Sequence, residues 1–405
     1  MTFALGVVIF ALGITISIAL HEAGHLVTAK VFGMKVRRYF IGFGPRIFSF
    51  RRGETEYGLK AILAGGFCDI AGMTALDPVT EEEAPRAFFK AKTWKRVVVL
   101  SAGSAAHFLI GILLIYALAV TAGLPNLQNT PVANEVTCAP LTQNATTGEL
   151  APCDAAAPSP ARDAGMLPGD KIVSVGEMAT ATYDGAVKVI RASNGPTPFV
   201  IERDGQQLTL NVNVAPVQRL AAGAKQGDPN NKLETVGAIG VSNTRAFTYG
   251  PLEAIPGTFA FTGTMFAQVW QGLISFPEKL PAVVDAIGGG ERDADTPVSV
   301  VGASIIGGDA AEAGLWAFFV LLLALLNLFV GVFNLLPLLP LDGGHIAVNL
   351  YEKVRDTVRR RLGKVQLPPV DYTRLLPLTY AFMLILGAIG LLTVTADIVN
   401  PIRLQ

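Results

Sequence analysis

The feature that most constrains this chain is a set of four apolar stretches that contain no Asp, Glu, Lys or Arg. Each has about the length, roughly 20 residues, that a helix needs to cross the hydrocarbon core of a bilayer. No Lys or Arg precedes Lys30 and no A-x-A-like site follows the first stretch, so we do not interpret it as a signal peptide. We predict membrane-spanning helices at Phe3–Leu20, Val97–Leu124, Leu315–Leu341 and Leu375–Ala396.

The overall composition supports the membrane class and excludes others. Of the 405 residues, 51% are hydrophobic and 16% are charged, against about 25% charged residues in a typical soluble domain. The 32 basic and 32 acidic residues balance, whereas a nucleic-acid-binding protein needs a basic surface, so no nucleic-acid partner is expected. A chain this hydrophobic is also not intrinsically disordered.

The charges of the loops predict the orientation of the helices. Residues 30–96 hold 13 basic and 7 acidic residues, residues 352–374 hold 7 and 3, and residues 124–312 hold 11 and 19. The protein is expected in the cell membrane, that is, the inner or cytoplasmic membrane. Because basic loops stay on the cytoplasmic side, the first two segments are expected in the cytoplasm and the third on the outer side of this membrane. The N-terminus then lies outside as well.

A weaker apolar segment, 255–276, carries no charge but is interrupted by three glycines. A fifth span here would reverse the orientation of everything after it and place the basic loop 352–374 outside. We therefore interpret this segment as an interfacial helix or as part of the outer segment.

The outer segment contains a candidate soluble domain. Residues 125–160 are rich in Pro, Ala, Thr and Asn, which predicts a linker. The following AGMLPGDKIVSV gives a turn and an alternating strand, and Asp204-Gly205 between two alternating runs predicts a β-hairpin. Residues 161–216 resemble a PDZ domain of bacterial proteases, and PDZ domains bind extended peptides at a sheet edge. A spacer domain that binds nothing is the alternative.

The three cysteines fall on both sides of the predicted membrane. Cys138 and Cys153 are 15 residues apart in the outer segment, where disulfides persist. A bridge between them and two free thiols are both consistent with the sequence, because spacing alone does not fix pairing geometry. Cys68 lies in the cytoplasmic segment and is expected to be reduced.

The first apolar stretch is followed by HEAGH at residues 21–25, which matches H-E-x-x-H. On a helix, His21 and His25 share one face and can bind one zinc ion, and Glu22 can take a proton from water. Ionisable groups are costly in an apolar span and are usually functional there. A helix end that merely reaches the interface is the alternative.

A catalytic zinc site needs a third protein ligand and keeps the fourth position for water. Asp342 stands at the end of a charge-free run of 27 residues, after Pro337 and Pro340 and before Gly343-Gly344. Its distance in sequence from the next charged residue, like that of His21 and His25, corresponds to roughly 8–15 Å inside the cytoplasmic membrane boundary. The three side chains can therefore share one site, although Asp342 could also simply flank the helix.

The combination of HEAGH in the first span, NLLPLLPLDGGH in a later span and a PDZ-like domain between them resembles the site-2 proteases. The resemblance is to the RseP-like branch of this family of intramembrane zinc metalloproteases, with a single PDZ domain. It implies one Zn²⁺ ion per chain, bound by His21, His25 and Asp342, with Glu22 as the general base.

The resemblance also implies regions that contact the substrate. The segments GFGPRIFSF (42–50) and GGFCDIAGM (65–73) would form a membrane-associated β-hairpin and loop near the site. Asn334 matches the family's asparagine that helps to hold the substrate strand. Gly42, Phe43 and Gly44 are further candidate substrate-binding residues, since a glycine-rich edge strand can pair with an unwound segment.

One position departs from the family. Relatives usually read G-P-x-x-N in the second span, where this chain has Gly103-Ser104-Ala105-Ala106-His107. His107 could hydrogen-bond a backbone carbonyl or a hydroxyl such as that of Ser104. It could instead orient a zinc ligand or contact substrate in place of the asparagine. It could also occupy the fourth zinc position in a resting enzyme.

The predicted fold class is a multi-span α-helical membrane protein with about four transmembrane helices, a membrane-associated β-hairpin and one extracytoplasmic PDZ-like α+β domain. The predicted segments are 1–30 (first span), 31–96 (cytoplasmic loop with hairpin), 97–124 (second span), 125–160 (linker), 161–216 (PDZ-like), 217–312 (extracytoplasmic), 313–350 (third span), 351–374 (cytoplasmic loop) and 375–399 (fourth span).

The predicted function is cleavage of transmembrane segments of single-span regulatory proteins, such as anti-sigma factors, after a first extracytoplasmic cut by a site-1 protease. Two alternatives are a membrane metal-ion transporter and a PDZ-based membrane scaffold. Against transport, the sequence shows no inverted repeat and no second ligand set, and Glu22 has a role only in a protease. Against a scaffold, the two motifs are intact.

Overall fold

The computed structural model describes residues 1–74, 77–154, 156–221, 231–290, 292–293, 295–365 and 367–404. The helices in this part of the chain are, in order, α1 (Thr2–Val31), α2 (Thr93–Thr121), α3 (Pro160–Asp163), α4 (Tyr183–Ala192), α5 (Ala254–Ile287), α6 (Val300–Glu312), α7 (Trp316–Asn334), α8 (Asp342–Arg361) and α9 (Leu376–Val399).

The strands in the same part of the chain belong to one sheet between α1 and α2 and to three sheets between α2 and α5. They are, in order, β1 (Val36–Arg52), β2 (Thr55–Ile70), β3 (Leu124–Pro125), β4 (Ala133–Val136), β5 (Lys171–Val175), β6 (Met178–Ala179), β7 (Gly195–Arg203), β8 (Gln206–Leu220), β9 (Leu233–Ala238), β10 (Val241–Asn243) and β11 (Ala246–Phe247).

The helices α1, α2, α7 and α9 are long and apolar enough to cross a membrane, and they coincide with the four predicted stretches. The third of these helices, α7, differs from the predicted segment 313–350. It ends at Asn334, and the separate helix α8 begins at Asp342, because Pro337 and Pro340 cannot continue a helix. Helix α8 also occupies much of the predicted loop 351–374.

The predicted interfacial segment 255–276 is helical, but the helix α5 is longer and runs on to Ile287. Its second half carries Glu278, Lys279 and Asp285, and it is not among the helices that could cross a membrane by length and composition. Its placement in the membrane interface stays a prediction.

The chain divides into two compact units, one formed by residues 1–121 and 250–405 and the other by residues 122–249. In the first unit, α1 contacts α2, α6, α7 and the sheet of β1 and β2. Phe10 of α1 is fully buried and packs edge-to-face on Phe319, with 5.3 Å between ring centroids. Gly307 of α6 admits the Phe10 ring, because a Cβ there would lie 2.8 Å from it.

The predicted β-hairpin is a curled sheet built from four strand segments. Residues 36–41 pair with 66–70 and also align with 56–59, while 46–52 pair with 55–60. The bends between segments fall at glycines, including Gly42 and Gly44 with φ of 89° and 78°. L-residues rarely adopt such angles, so the glycines let a two-strand sequence fold back on itself.

The second unit is built on a five-stranded antiparallel sheet of order β6-β5-β7-β8-β9. The Asp204-Gly205 turn joins β7 to β8, with Arg203 opposite Gln206. Both turn residues have positive φ, as the two-residue type I′ turn requires. The β-hairpin predicted around Asp204-Gly205 is therefore confirmed. The sheet and α4 enclose a buried apolar core that includes Ile172, Ala186, Ile190, Phe199 and Val212.

This second unit is larger than the predicted PDZ-like segment 161–216. The segment 125–160, predicted to be a linker, contributes β4 and the end of β3, which pair with β10 and β11. Short polar segments of this kind cannot form a core alone, but pairing satisfies their backbone groups. The disulfide left open by the sequence is present, between Cys138 and Cys153.

A buried ion pair connects the end of α9 to the loop before α6. The Arg292 guanidinium and the Asp397 carboxylate are 2.6 Å apart, with side chains 2% and 0% exposed. Asp397 also accepts hydrogen bonds from the backbone N–H groups of Ser299 and Gly302. Arg292 donates further hydrogen bonds to the carbonyls of Pro297 and Asn400.

We predict that Asp397→Asn lowers the free energy of unfolding by about 3–5 kcal/mol, because it leaves the Arg292 charge buried without a counter-charge. Thermal unfolding in detergent would measure the loss. The matched control is Asp295→Asn in the same loop, whose side chain is 86% exposed and 3.9 Å from Lys279. It should cost less than about 1 kcal/mol. Equal losses in the two variants would contradict the prediction.

Candidate metal centre

The helix α1 positions both histidines of HEAGH on one buried face, since residues four apart lie one turn from each other. His21 and His25 are each 7% exposed. Helix α2 approaches them closely at Gly103, where an added Cβ would lie 2.5 Å from both the His21 ring and His25 Nε2. Gly24 of α1 similarly faces the Ala102 carbonyl, 2.5 Å from an added Cβ. The two helices can therefore meet only where these residues lack side chains.

Asp342 reaches the histidines because the chain turns sharply between α7 and α8. Asp342 is the first residue of α8. The two glycines that follow pack against the backbone of the turn. A Cβ added to Gly343 would lie 2.2 Å from the Leu335 carbonyl oxygen, and a Cβ added to Gly344 would lie 2.6 Å from the Leu338 carbonyl carbon. Gly343 and Gly344 therefore let the start of α8 lie close against the chain's own turn.

Three ligand atoms converge in this first unit. His21 Nε2 lies 3.1 Å from His25 Nε2, and Asp342 Oδ2 lies 3.3 Å from His21 Nε2 and 3.4 Å from His25 Nε2. Ligand atoms bound at about 2.0–2.2 Å to a tetrahedral zinc ion are about 3.3–3.6 Å apart. Two of the three distances lie in this range and the His21–His25 distance of 3.1 Å is slightly shorter, so the arrangement is close to one face of a zinc coordination tetrahedron.

The hydrogen bond of His25 to the backbone favours this interpretation. His25 Nδ1 lies 2.7 Å from the Val99 carbonyl, which can only accept, so Nδ1 carries the proton and Nε2 presents its lone pair. A lone pair and a carboxylate oxygen in contact need a cation or a proton between them. A backbone carbonyl that accepts from the other ring nitrogen is a usual partner of a zinc-binding histidine.

Glu22 lies beside the three ligand atoms. Its side chain is contacted by residues of the β1–β2 sheet as well as by residues of α1. An added Cβ on Gly66 would lie 3.0 Å from Glu22 Cγ, so the strand segment 66–70 packs directly against this side chain. Glu22 is not part of the group of potential ligands, which in the described residues consists of His21, His25 and Asp342.

The candidate substrate-binding residues are divided between two elements. Gly42, Phe43 and Gly44 form a bend of β1, where the Phe43 ring stacks on Phe67 with 6.5 Å between centroids. Phe43 is 46% exposed. Asn334 is the last residue of α7 and is partly buried, at the start of the turn that leads to Asp342.

His107 lies next to the metal-ligand group without belonging to it. Its ring centroid is 5.0 Å from that of His21, and its Nδ1 lies 2.9 Å from Asn327 Oδ1. The Asn327 amide nitrogen donates to the Leu323 carbonyl, so its oxygen accepts from His107. Ser104, considered above as a partner of His107, has no hydrogen bond in the described residues.

Asn327 was missed at the level of sequence, although a signal was available. It is one of two asparagines in the charge-free run 315–341, and it is 2% exposed. A polar amide buried in an apolar span needs a partner. The available partner, His107, lies 220 residues away in the chain, so only the fold reveals the pair.

A zinc-type ligand group with an adjacent carboxylate, in which both histidines lie on a helix apolar enough to span a bilayer, defines a membrane-embedded class of metallopeptidase. The model of peptidase family M50 matches residues 9–367. The chain therefore belongs to peptidase family M50, the site-2 proteases, and it is a zinc metalloprotease that acts on membrane protein substrates. The resemblance noted from the sequence is confirmed.

Among the relatives, the zinc metalloprotease Rip1 of Mycolicibacterium smegmatis is 48% identical over 413 residues. The proteins of the same name from Mycobacterium bovis and Mycobacterium tuberculosis are each 49% identical over 408 residues. In all three comparisons 100% of this chain and 100% of the relative are covered.

We predict that Gly103→Ala lowers zinc affinity by roughly 10- to 100-fold, a loss typical of disturbed ligand geometry, because the new methyl group would collide with both histidine rings. Zinc content after dialysis against a graded chelator would measure the change. Gly263→Ala is the matched control, since that helical glycine faces open space. Full zinc affinity in Gly103→Ala would contradict the proposed packing.

Proposed function

We propose that this protein is an intramembrane endopeptidase that cuts transmembrane segments of single-span regulatory proteins in transmembrane signalling. The observation that carries the proposal is the convergence of His21, His25 and Asp342 within 3.1–3.4 Å on elements of an apolar helical unit. The substrates would be proteins such as anti-sigma factors, cut after a site-1 protease has removed their outer portion.

In this proposal the three convergent side chains hold one zinc ion, and Glu22 is the general base. A bound zinc ion would supply Lewis-acid polarisation of the scissile carbonyl and of the attacking water. Glu22 takes a proton from the water at its carboxylate and later passes it to the leaving amide nitrogen. His107, held by Asn327, keeps the His21 ring in place by contact.

The substrate helix must unwind locally, because the carbonyls of an intact helix are occupied by backbone hydrogen bonds. We propose that Gly42, Phe43 and Gly44 pair with or contact the unwound segment, as edge strands do with extended peptides. Asn334 would hold its backbone from the other side of the site. The exposure of Phe43 supports a contact with another molecule.

We further propose that the protein lies in the cytoplasmic membrane with the N-terminus and residues 122–249 outside and the metal centre toward the cytoplasm. The basic excess of residues 30–96 and 352–374 supports this orientation. The β-rich unit would act as a PDZ-like domain that binds extended peptides.

The role of Glu22 gives a direct test. Glu22→Gln should lower the cleavage rate by about 10²–10⁴-fold while zinc stays bound, since general-base assistance is of this size and Glu22 is not a ligand. Cleavage of a single-span substrate and metal content are measured on the same preparations. His21→Ala/His25→Ala is the comparison variant and should lose both. Wild-type cleavage by Glu22→Gln would refute the mechanism.

The order of cleavage gives a second test. A single-span substrate that has been shortened on its outer side should be cut by the wild type in cells that lack the site-1 protease. The full-length substrate should stay intact in the same cells. Immunoblotting of both substrates, with Glu22→Gln as the inactive control, measures the difference. Equal cutting of the two substrates would contradict the proposed two-step order.

A further inference from the structure

A cavity unrelated to the metal centre lies where α1 ends and α2 begins. It has a volume of about 270 Å³, just below the roughly 300–1,000 Å³ of typical small-molecule pockets. Its walls include two aromatic and four basic side chains, namely Phe32, Trp94, Arg86, Lys90, Lys92 and Lys95. Among the residues that the structure describes, no Asp or Glu lines it.

One of the four cations is already neutralised. Arg86 pairs with both carboxylate oxygens of Glu54, each at 2.7 Å. This guanidinium, assisted by Lys35, holds the pKa of Glu54 down at about 2. Arg86 therefore lines the cavity in a fixed position, and its positive charge is largely balanced by Glu54.

The three lysines are different. In the part of the chain that the structure describes, Lys90, Lys92 and Lys95 have no acidic group within 4.0 Å, as the ion pairs of this unit all involve other residues. Lys95 lies over the rings of Phe32 and Trp94, 5.2 and 5.8 Å from their centroids. Three like charges around one cavity repel each other and favour an anion between them.

The surroundings of the cavity are apolar. Trp94 is 55% exposed, and Val31 at the end of α1 and Val98, one helical turn after Trp94 on α2, are 74% and 41% exposed. Both helices are long and apolar enough to span a membrane. An exposed tryptophan next to lysines at the end of such helices is typical of the membrane–water interface.

We propose that this cavity binds the phosphate headgroup of an anionic phospholipid, with the acyl chains lying along the exposed valines. The phosphodiester anion in the cavity would lie among the three unpaired lysines and offset part of their positive charge, and the aromatic walls would cover the glycerol backbone. A soluble phosphate could satisfy the charges but would leave the adjoining apolar surface unused. Basic pockets at helix ends are known to hold lipid headgroups of this chemistry.

The test uses the full chain in a neutral detergent with Trp270→Phe and Trp316→Phe, which leaves Trp94 as the only one of the three tryptophans. Phosphatidylglycerol with brominated acyl chains should quench its fluorescence, with brominated phosphatidylcholine at least about 10-fold weaker. Lys90→Gln/Lys92→Gln/Lys95→Gln should raise the apparent Kd on the order of 100-fold, about fivefold per lysine.

The matched control removes three exposed charges elsewhere, with Lys353→Gln/Arg360→Gln/Arg361→Gln on α8. It should change the apparent Kd by less than about threefold, because these side chains do not line the cavity. If both triple variants lose affinity equally, binding is non-specific and the site is refuted. If the triple variant fails to fold, the single variant Lys92→Gln, at an exposed position, serves in its place. It should lose about fivefold in affinity for the lipid.

Inorganic phosphate distinguishes the two sources of the anion. Millimolar phosphate should leave quenching by brominated phosphatidylglycerol nearly unchanged, since it lacks acyl chains to bind the apolar surface. Displacement of the lipid by phosphate at comparable concentration would overturn the proposal in favour of a soluble ligand. Quenching that is equal for phosphatidylglycerol and phosphatidylcholine would overturn it as well.

Discussion

Polar and ionisable side chains inside an apolar helical unit are stable only when they have each other as partners, and the rest of this structure depends on that constraint. His21 and His25 are brought together by helical spacing, but they become a site only because α2 comes within van der Waals contact at Gly103. The same contact aligns the Val99 carbonyl with His25. The turn before α8 then adds Asp342. Each step brings a polar partner to this buried pair of histidines.

The carboxylate of Glu22 illustrates how helix and sheet share the site. The helix fixes its position next to the histidines, while the strand segment 66–70 covers it through Gly66. The hairpin register returns residues 66–70 to this place, opposite residues 36–41, and the bends at Gly42 and Gly44 fold the distal part of the hairpin back so that residues 56–59 also align with residues 38–41. The curled sheet is therefore as much a part of the metal centre as the helices.

Local patterns were enough to predict the spanning helices, the histidine pair and the Asp204-Gly205 turn, since each depends on neighbours in sequence. Asp342 was also predictable, because a carboxylate at the end of a charge-free run needs a reason to be there. The pair of His107 and Asn327 was not, as its members are far apart in the chain. The strands within 125–160 were missed for the same reason. Their partners follow the PDZ-like segment, and the polar composition of 125–160 predicts a linker.

The distance in sequence between the ligands has a consequence for how the protein is made. Roughly 320 residues separate His21 from Asp342, so at about 5–20 residues per second the ribosome needs on the order of 20–60 s to supply the last ligand. During that interval the new membrane segment α1 already carries His21, Glu22 and His25. The β1–β2 sheet and α2, which begins some 70 residues after His21, are the first elements available to shelter them. The close packing of α2 on the histidines at Gly103 therefore shelters them during synthesis, before the site is complete for catalysis.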